Sequence, residues 1–201
     1  MGFLDSILGR STPPAADLDV LFSIPQAALS LEVAGFAATG NGSVCFRDSE
    51  GQVDDRVVTD AQQLISTDTA AAVELSDDAH GFRWLTVTRA AGDVTGLVTD
   101  LHAANSSLVD AGFGSGLLCS TVVFTAPTGG PCALVYLFKQ GTFYPFVPMA
   151  GQPSTGQKRD NALELQVRGL VGEDVPVEPK LDRWLALWGA PGLDPGGQAP
   201  G

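Results

Sequence analysis

Two groups of residues carry side chains at spacings that could do chemistry. Asp100, His102 and Asn105 stand close together, and Lys158-Arg159-Asp160-Asn161 is followed by Glu164 and Arg168. The first group has the types needed for a histidine general base oriented by a carboxylate, or for a metal site. Both chemistries need partners that the chain hardly supplies. His80 is the only other histidine, and it follows Asp77-Asp78 in a turn where solvation explains it. A serine nucleophile would need one of these two histidines, and no G-x-S-x-G elbow is present. Gly114-Ser115-Gly116 reads as a helix-to-strand connection, and Gly35, Gly40 and Gly42 match no dinucleotide or phosphate loop. No catalytic residue, metal ligand or cofactor is therefore assigned.

The second group is the densest polar cluster. Glu164 and Arg168 lie four apart, so the spacing predicts an ion pair across one helical turn, which stabilises by only about 0.2–0.5 kcal/mol. Its plainest reading is a capped helix with a solvated charged face. The functional alternative makes Arg159, Asp160 and Glu164 a polar rim beside the aromatic run Phe143-Tyr144-Pro145-Phe146, together a partner-binding surface. Against that, an aromatic run flanked by prolines is more often core than interface.

The elements that must position these residues are written in the hydrophobic pattern. Phe3, Leu4, Ile7 and Leu8 recur at helical spacing and make residues 1–14 an amphipathic N-terminal segment and linker, ended by Pro13-Pro14. These four are the other candidate partner contacts. Residues 16–22 read as a second short helix. From Leu29 the pattern predicts a hairpin turning at Gly40-Asn41-Gly42, with Val44-Cys45-Phe46 as the return strand. A helix over 54–66 is expected, then a hairpin from Val73–Leu75 to Phe82–Thr88. The stripe Leu97, Val98, Leu101, Ala104 and Leu108 predicts a helix over 95–111, closed by Gly112. A further hairpin joins 118–125 to 133–138. Residues 143–149 extend the sheet or cross it, since Pro145 and Pro148 cannot donate to a central ladder. Helices over 160–171, with Asp160 at the cap, and over 181–188 complete the pattern. Hairpins alternating with helices imply an α+β fold, an antiparallel sheet with the helices packed mainly on one face. Trp84 and the aromatics near Phe143 are expected between sheet and helices. The domain is expected over 15–193, followed by a disordered tail over 194–201.

Composition excludes several function classes. A net charge of −12 over 201 residues argues against nucleic acid as a direct partner. It also argues against broad attachment to anionic lipid, and suits a basic protein partner. Hydrophobic residues at 44% against 17% charged indicate a packed globular protein. The odd count of cysteines (Cys45, Cys119 and Cys132), each in an apolar run, reads as buried reduced thiols, with Cys119 and Cys132 able to face one another across a hairpin. No apolar stretch approaches a membrane span and no secretory signal is apparent. Met1-Gly2 with Ser6 formally matches a myristoylation signal, which the high-GC bacterial look of the composition discounts. The expected location is the cytoplasm, with any membrane contact indirect, at the inner face and through a partner.

Several blocks carry a family resemblance. Met1–Asp5 with Gly9-Arg10, Gly96–His102, Gly112-Phe113-Gly114, Gly141–Phe146, Arg159–Leu165 and Trp188–Leu193 together resemble the PspA-associated protein PspAB family, over 1 to about 193. The resemblance implies a non-enzymatic accessory protein of the phage-shock, envelope-stress response. Its implied partners are a PspA-like protein or a co-encoded HtpX-like membrane protease. It transfers no catalytic residues. Two readings from other classes stand beside it: a chaperone-like α+β module that binds a peptide or protein in a groove, and an enzyme using Asp100, His102 or the Arg159-Asp160-Glu164 cluster, which would need a deep pocket where these converge.

Overall fold

The computed structural model describes residues 17–47, 59, 62–63, 70–78, 81–149 and 156–193. Its centre is a six-stranded antiparallel sheet in the order β2-β3-β1-β4-β5-β6. The strands are β1 (Ala37–Phe46), β2 (Ala72–Asp77), β3 (Arg83–Thr88), β4 (Leu117–Thr125), β5 (Pro131–Leu137) and β6 (Thr142–Phe146). Helices α1 (Ile24–Val33), α2 (Val94–Asp110) and α3 (Asn161–Val171) pack over one face, so the expected α+β architecture holds.

The predicted central helix is α2. Leu97, Val98, Leu101, Ala104 and Leu108 are all buried, the Asp93 side chain caps its start by accepting from Gly96 N, and Gly112 follows it at positive φ. Both later hairpins form in the expected places, β2–β3 and β4–β5. β6 lies at the sheet edge, where the missing N–H of Pro145 costs least. That edge is covered by the chain itself: Phe143 N donates to Pro176 O (2.8 Å) and Glu178 N to Phe143 O (2.7 Å). Covering an edge blunts its tendency to pair with other chains.

The first third of the chain departs from the sequence pattern. Residues Leu18–Ser23 form a 3-10 turn that runs directly into α1, so Leu29 and Leu31 are helical rather than extended. Pro25 sits in the first turn of α1, where it is tolerated. Gly40-Asn41-Gly42 is not a turn. β1 runs straight through it, and the pairing of β1 with β4 shifts register between Ala38 and Gly42. The glycines serve close approach instead. A Cβ on Gly40 would lie 2.2 Å from Arg89 O, and one on Gly42 would lie 2.8 Å from Thr121 O and 2.9 Å from Leu101 Cδ1. α2 therefore seats directly on β1 at a position that admits no side chain.

Two further expectations change. Only Leu181–Arg183 of the predicted last helix is helical, as a single 3-10 turn. Trp84 faces away from the helices, in a second apolar layer with Tyr144, Phe146 and Trp184. Alternation along β6 explains the split: Phe143 joins the helix-side core, and Tyr144 and Phe146 the other. The expected helices over 2–9 and 54–66 lie outside the described residues, except that Thr59, Gln62 and Gln63 are helical.

Candidate functional site

The residues of the first polar group do not converge. Asp100 is buried and takes two hydrogen bonds from Arg89, Nε to Oδ2 (2.5 Å) and Nη2 to Oδ1 (3.0 Å). His102 Nε2 meets Asp19 Oδ1 at 3.2 Å, and its ring packs at a tilt against Phe22. Asn105 donates to Leu101 O and to Ser120 Oγ inside the core. Each has its own partner, and the three form no shared pocket. His80 lies outside the described residues.

The second group is a clamp. Asp160 caps α3 by accepting from Leu163 N (3.0 Å), as its position before the helix predicts. Glu164 does not pair with Arg168. It is buried, receives Arg159 Nε on both carboxylate oxygens (2.8 and 2.9 Å), and receives Val147 N at 2.9 Å. The reason is geometric: Pro148 and Arg159 form an antiparallel bridge, which swings Arg159 back over the start of α3. Arg159 Nη1 also donates to Trp184 O (2.5 Å), and its guanidinium lies 5.2 Å from the Phe146 ring centroid. Burial raises the Glu164 pKa, and the hydrogen bonds from Arg159 and Val147 N oppose it. The cluster thus ties the end of β6, the start of α3 and the C-terminal chain to one carboxylate.

The aromatic run is therefore not the surface beside a polar rim. Phe143, Tyr144 and Phe146 are 0–1% exposed and fill the two cores. What lies exposed near the clamp is aliphatic: Leu165 and Leu181, each about half exposed, flank Arg159 and Trp184 around a notch of about 330 Å³. A second exposed apolar stripe runs along α1 through Leu29 and Val33, the latter 91% exposed. Spacing alone could not separate Leu165, Leu29 and Val33 from core positions, because each shares its helix with buried neighbours. Phe3, Leu4, Ile7 and Leu8 lie outside the described residues.

The face of the sheet away from the helices carries a cleft. Residues 184–193 cross it as a strap. Tyr144 hydroxyl donates to Leu185 O (3.0 Å), Trp184 Nε1 donates to Glu178 O (3.0 Å), and Trp188 packs edge-on against Phe146. Between strap and strands lies a half-open cleft of about 450 Å³, walled by Phe82, Trp84, Leu118, Leu137, Tyr144 and Leu187. Cys45 and Cys119 are direct cross-strand partners and also line it. Cys119 does not face Cys132, which is buried in the helix-side core. The Cys119 thiol, burial and the charge of Asp78 all push the Cys45 pKa up, so this thiol is a neutral apolar surface and no nucleophile. Arg47 and Lys139 stand at the cleft.

Fold and site together define an α+β protein whose densest polar cluster is a structural clamp and whose apolar features reach the surface. The PspAB family model, PspA associated protein B, matches residues 1–192, and the chain belongs to that family. The family's name associates its members with PspA. No curated protein and no solved structure matches the chain. Among the described residues no helix is long and apolar enough to cross a membrane.

Proposed function

We propose that this protein is a non-enzymatic accessory factor of the phage-shock response that acts by binding PspA or a co-encoded membrane-associated partner such as an HtpX-like protease. The observation that carries it is family membership over nearly the whole chain. Two features of the molecule support it. Asp100, His102 and Asn105 each direct their hydrogen bonds to separate fold partners. Arg159 and Glu164 are engaged with one another and with backbone groups around them. The net charge of −12 favours a basic partner surface.

The contact is assigned to the exposed leucines around the clamp, Leu165 and Leu181, together with Phe3, Leu4, Ile7 and Leu8 of the N-terminal segment. Arg159, Asp160 and Glu164 then hold the surface in shape. Purified full-length chain should retain purified PspA, or the protease in detergent, in a direct binding assay. Leu165→Glu with Leu181→Glu, or deletion of residues 1–10, should lower that retention while leaving the circular dichroism spectrum unchanged. Absence of binding to either protein sinks the proposal. Binding that survives both changes moves the contact to another face.

A chaperone-like reading has one observation in its favour. A groove of about 460 Å³ runs between α1 and the start of β1, lined by Pro25, Ala28, Leu29 and Phe36. Capture of unfolded apolar peptides, lost in Leu29→Glu, would support it.

A further inference from the structure

We infer that the cleft on the strap side of the sheet is a binding site for a single-chain amphipathic anion, a long-chain fatty acid, with its hydrocarbon tail between the strands and the strap and its carboxylate at Arg47 and Lys139. The inference is independent of PspA binding.

The walls come first. Phe82, Trp84, Leu118, Leu137, Tyr144 and Leu187 present carbon, and the Cys45 and Cys119 side chains add soft apolar surface. A volume of about 450 Å³ lies in the range of small-molecule sites. An open apolar cleft of this size is costly to keep wet, because water there lacks polar partners.

The polar groups decide the ligand class. The Tyr144 hydroxyl is already donated to Leu185 O, the strands β3, β1, β4 and β5 are paired on both sides within the sheet, and the outer edge of β6 is bonded to Pro176 and Glu178. A peptide laid in the cleft would bring an N–H and a C=O at every residue and find almost nothing to satisfy them. A molecule with one polar end and a hydrocarbon body meets no such penalty. The two cations specify the sign of that end. Arg47 is exposed, with its guanidinium 4.7 Å from the Phe82 ring centroid, and Lys139 is exposed at the β5–β6 turn. Neither has a carboxylate partner among the described residues. On a chain of net charge −12, two unpaired cations at the mouth of an apolar cleft form a local anion site. The nearby carboxylate, Asp78, accepts from Phe82 N and Trp84 Nε1, so both of its oxygens are engaged with the cleft wall. Arg47 offers a fork of donors for a carboxylate, and Lys139 a point charge.

The test uses full-length protein and monomeric oleate, followed by tryptophan fluorescence, since Trp84 lies in the cleft wall. Saturable one-to-one binding is expected, with oleyl alcohol weaker. Arg47→Glu with Lys139→Glu should lower oleate affinity by about tenfold or more, as expected for loss of charge-assisted hydrogen bonds. Both residues are exposed, so the fold should persist. Ala186→Trp, at the exposed lip, should block the tail and abolish binding. Location is read separately by tail quenching: monomeric dibromostearate should quench the tryptophan emission, and most of that quenching should disappear in Trp84→Phe, since Trp84 lines the cleft. No saturable binding overturns the inference. Equal affinity for oleate and oleyl alcohol overturns the assigned head group, and quenching unchanged by Trp84→Phe overturns the site. Binding to phosphatidylglycerol vesicles without binding to monomeric oleate would make this a lipid-surface contact and overturn the small-ligand reading.

Discussion

The two faces of the sheet solve the same problem differently. On one, α1, α2 and α3 seal the apolar side chains under regular helices, down to Gly42, where α2 leaves no room for a Cβ. On the other, a strap that follows a single 3-10 turn covers a smaller aromatic layer and leaves a cleft between Leu187 and the strands. Helices satisfy their own backbone and can close over a sheet continuously. An extended strap must find a partner for each polar group, and it does so at a few anchors: Tyr144 to Leu185 O, Arg159 to Trp184 O and Trp184 to Glu178 O. Between anchors it stands off. Stability is therefore concentrated on the helix side, and accessible apolar surface on the strap side.

Mutations can break that comparison. Arg89→Met strands Asp100 in the helix-side core and should destabilise by about 3–5 kcal/mol in urea unfolding, the usual cost of removing one partner of a buried pair. Leu101→Ala, under α2, should lose about 2–5 kcal/mol by cavity formation. Asp160→Ala removes the α3 cap and should lose about 1 kcal/mol. Leu185→Ser, exposed on the strap, should stay within about 0.5 kcal/mol of the parent. A strap-side surface change costing as much as Leu101→Ala would overturn the asymmetry.

Two measurements sharpen it. Native-state hydrogen exchange should show the amides of α2 protected to near the global unfolding free energy, with those of 185–189 exchanging by small local openings. The clamp adds a pH signature. Because burial raises the Glu164 pKa in the folded state, its contribution favours folding most at low pH, below the unfolded value. That contribution is lost as pH rises through the raised folded value. Relative to Glu164→Gln, the parent should therefore lose stability as pH increases across that window, and parallel curves would show that the carboxyl is not perturbed.

Much of this fold was legible beforehand, and the residues show why. Leu97 to Leu108 repeat with helical period, and Phe82 to Thr88 with their neighbours read as strands, because one buried face per element imposes that periodicity. Asp160 was readable as a cap from its place before Asn161–Val171. Gly40-Asn41-Gly42 was misread because glycine marks both turns and close approaches, and only the position of Leu101 over Gly42 distinguishes them. The helix α1 was missed because Leu29 and Val33 point outward, which blurs its stripe. Glu164 was paired with Arg168 because local spacing ranks i,i+4 partners first, whereas the Pro148–Arg159 bridge brings Arg159 closer.

Family membership, the α+β class and the elements from Ala72 through Val171 were thus set by local pattern and composition alone. Tertiary structure decided which face each aromatic of β6 occupies, which basic residue meets Glu164, and that Cys45 rather than Cys132 stands opposite Cys119. Those outcomes depend on strand order and on contacts between residues far apart in the chain, and local periodicity carries no record of either.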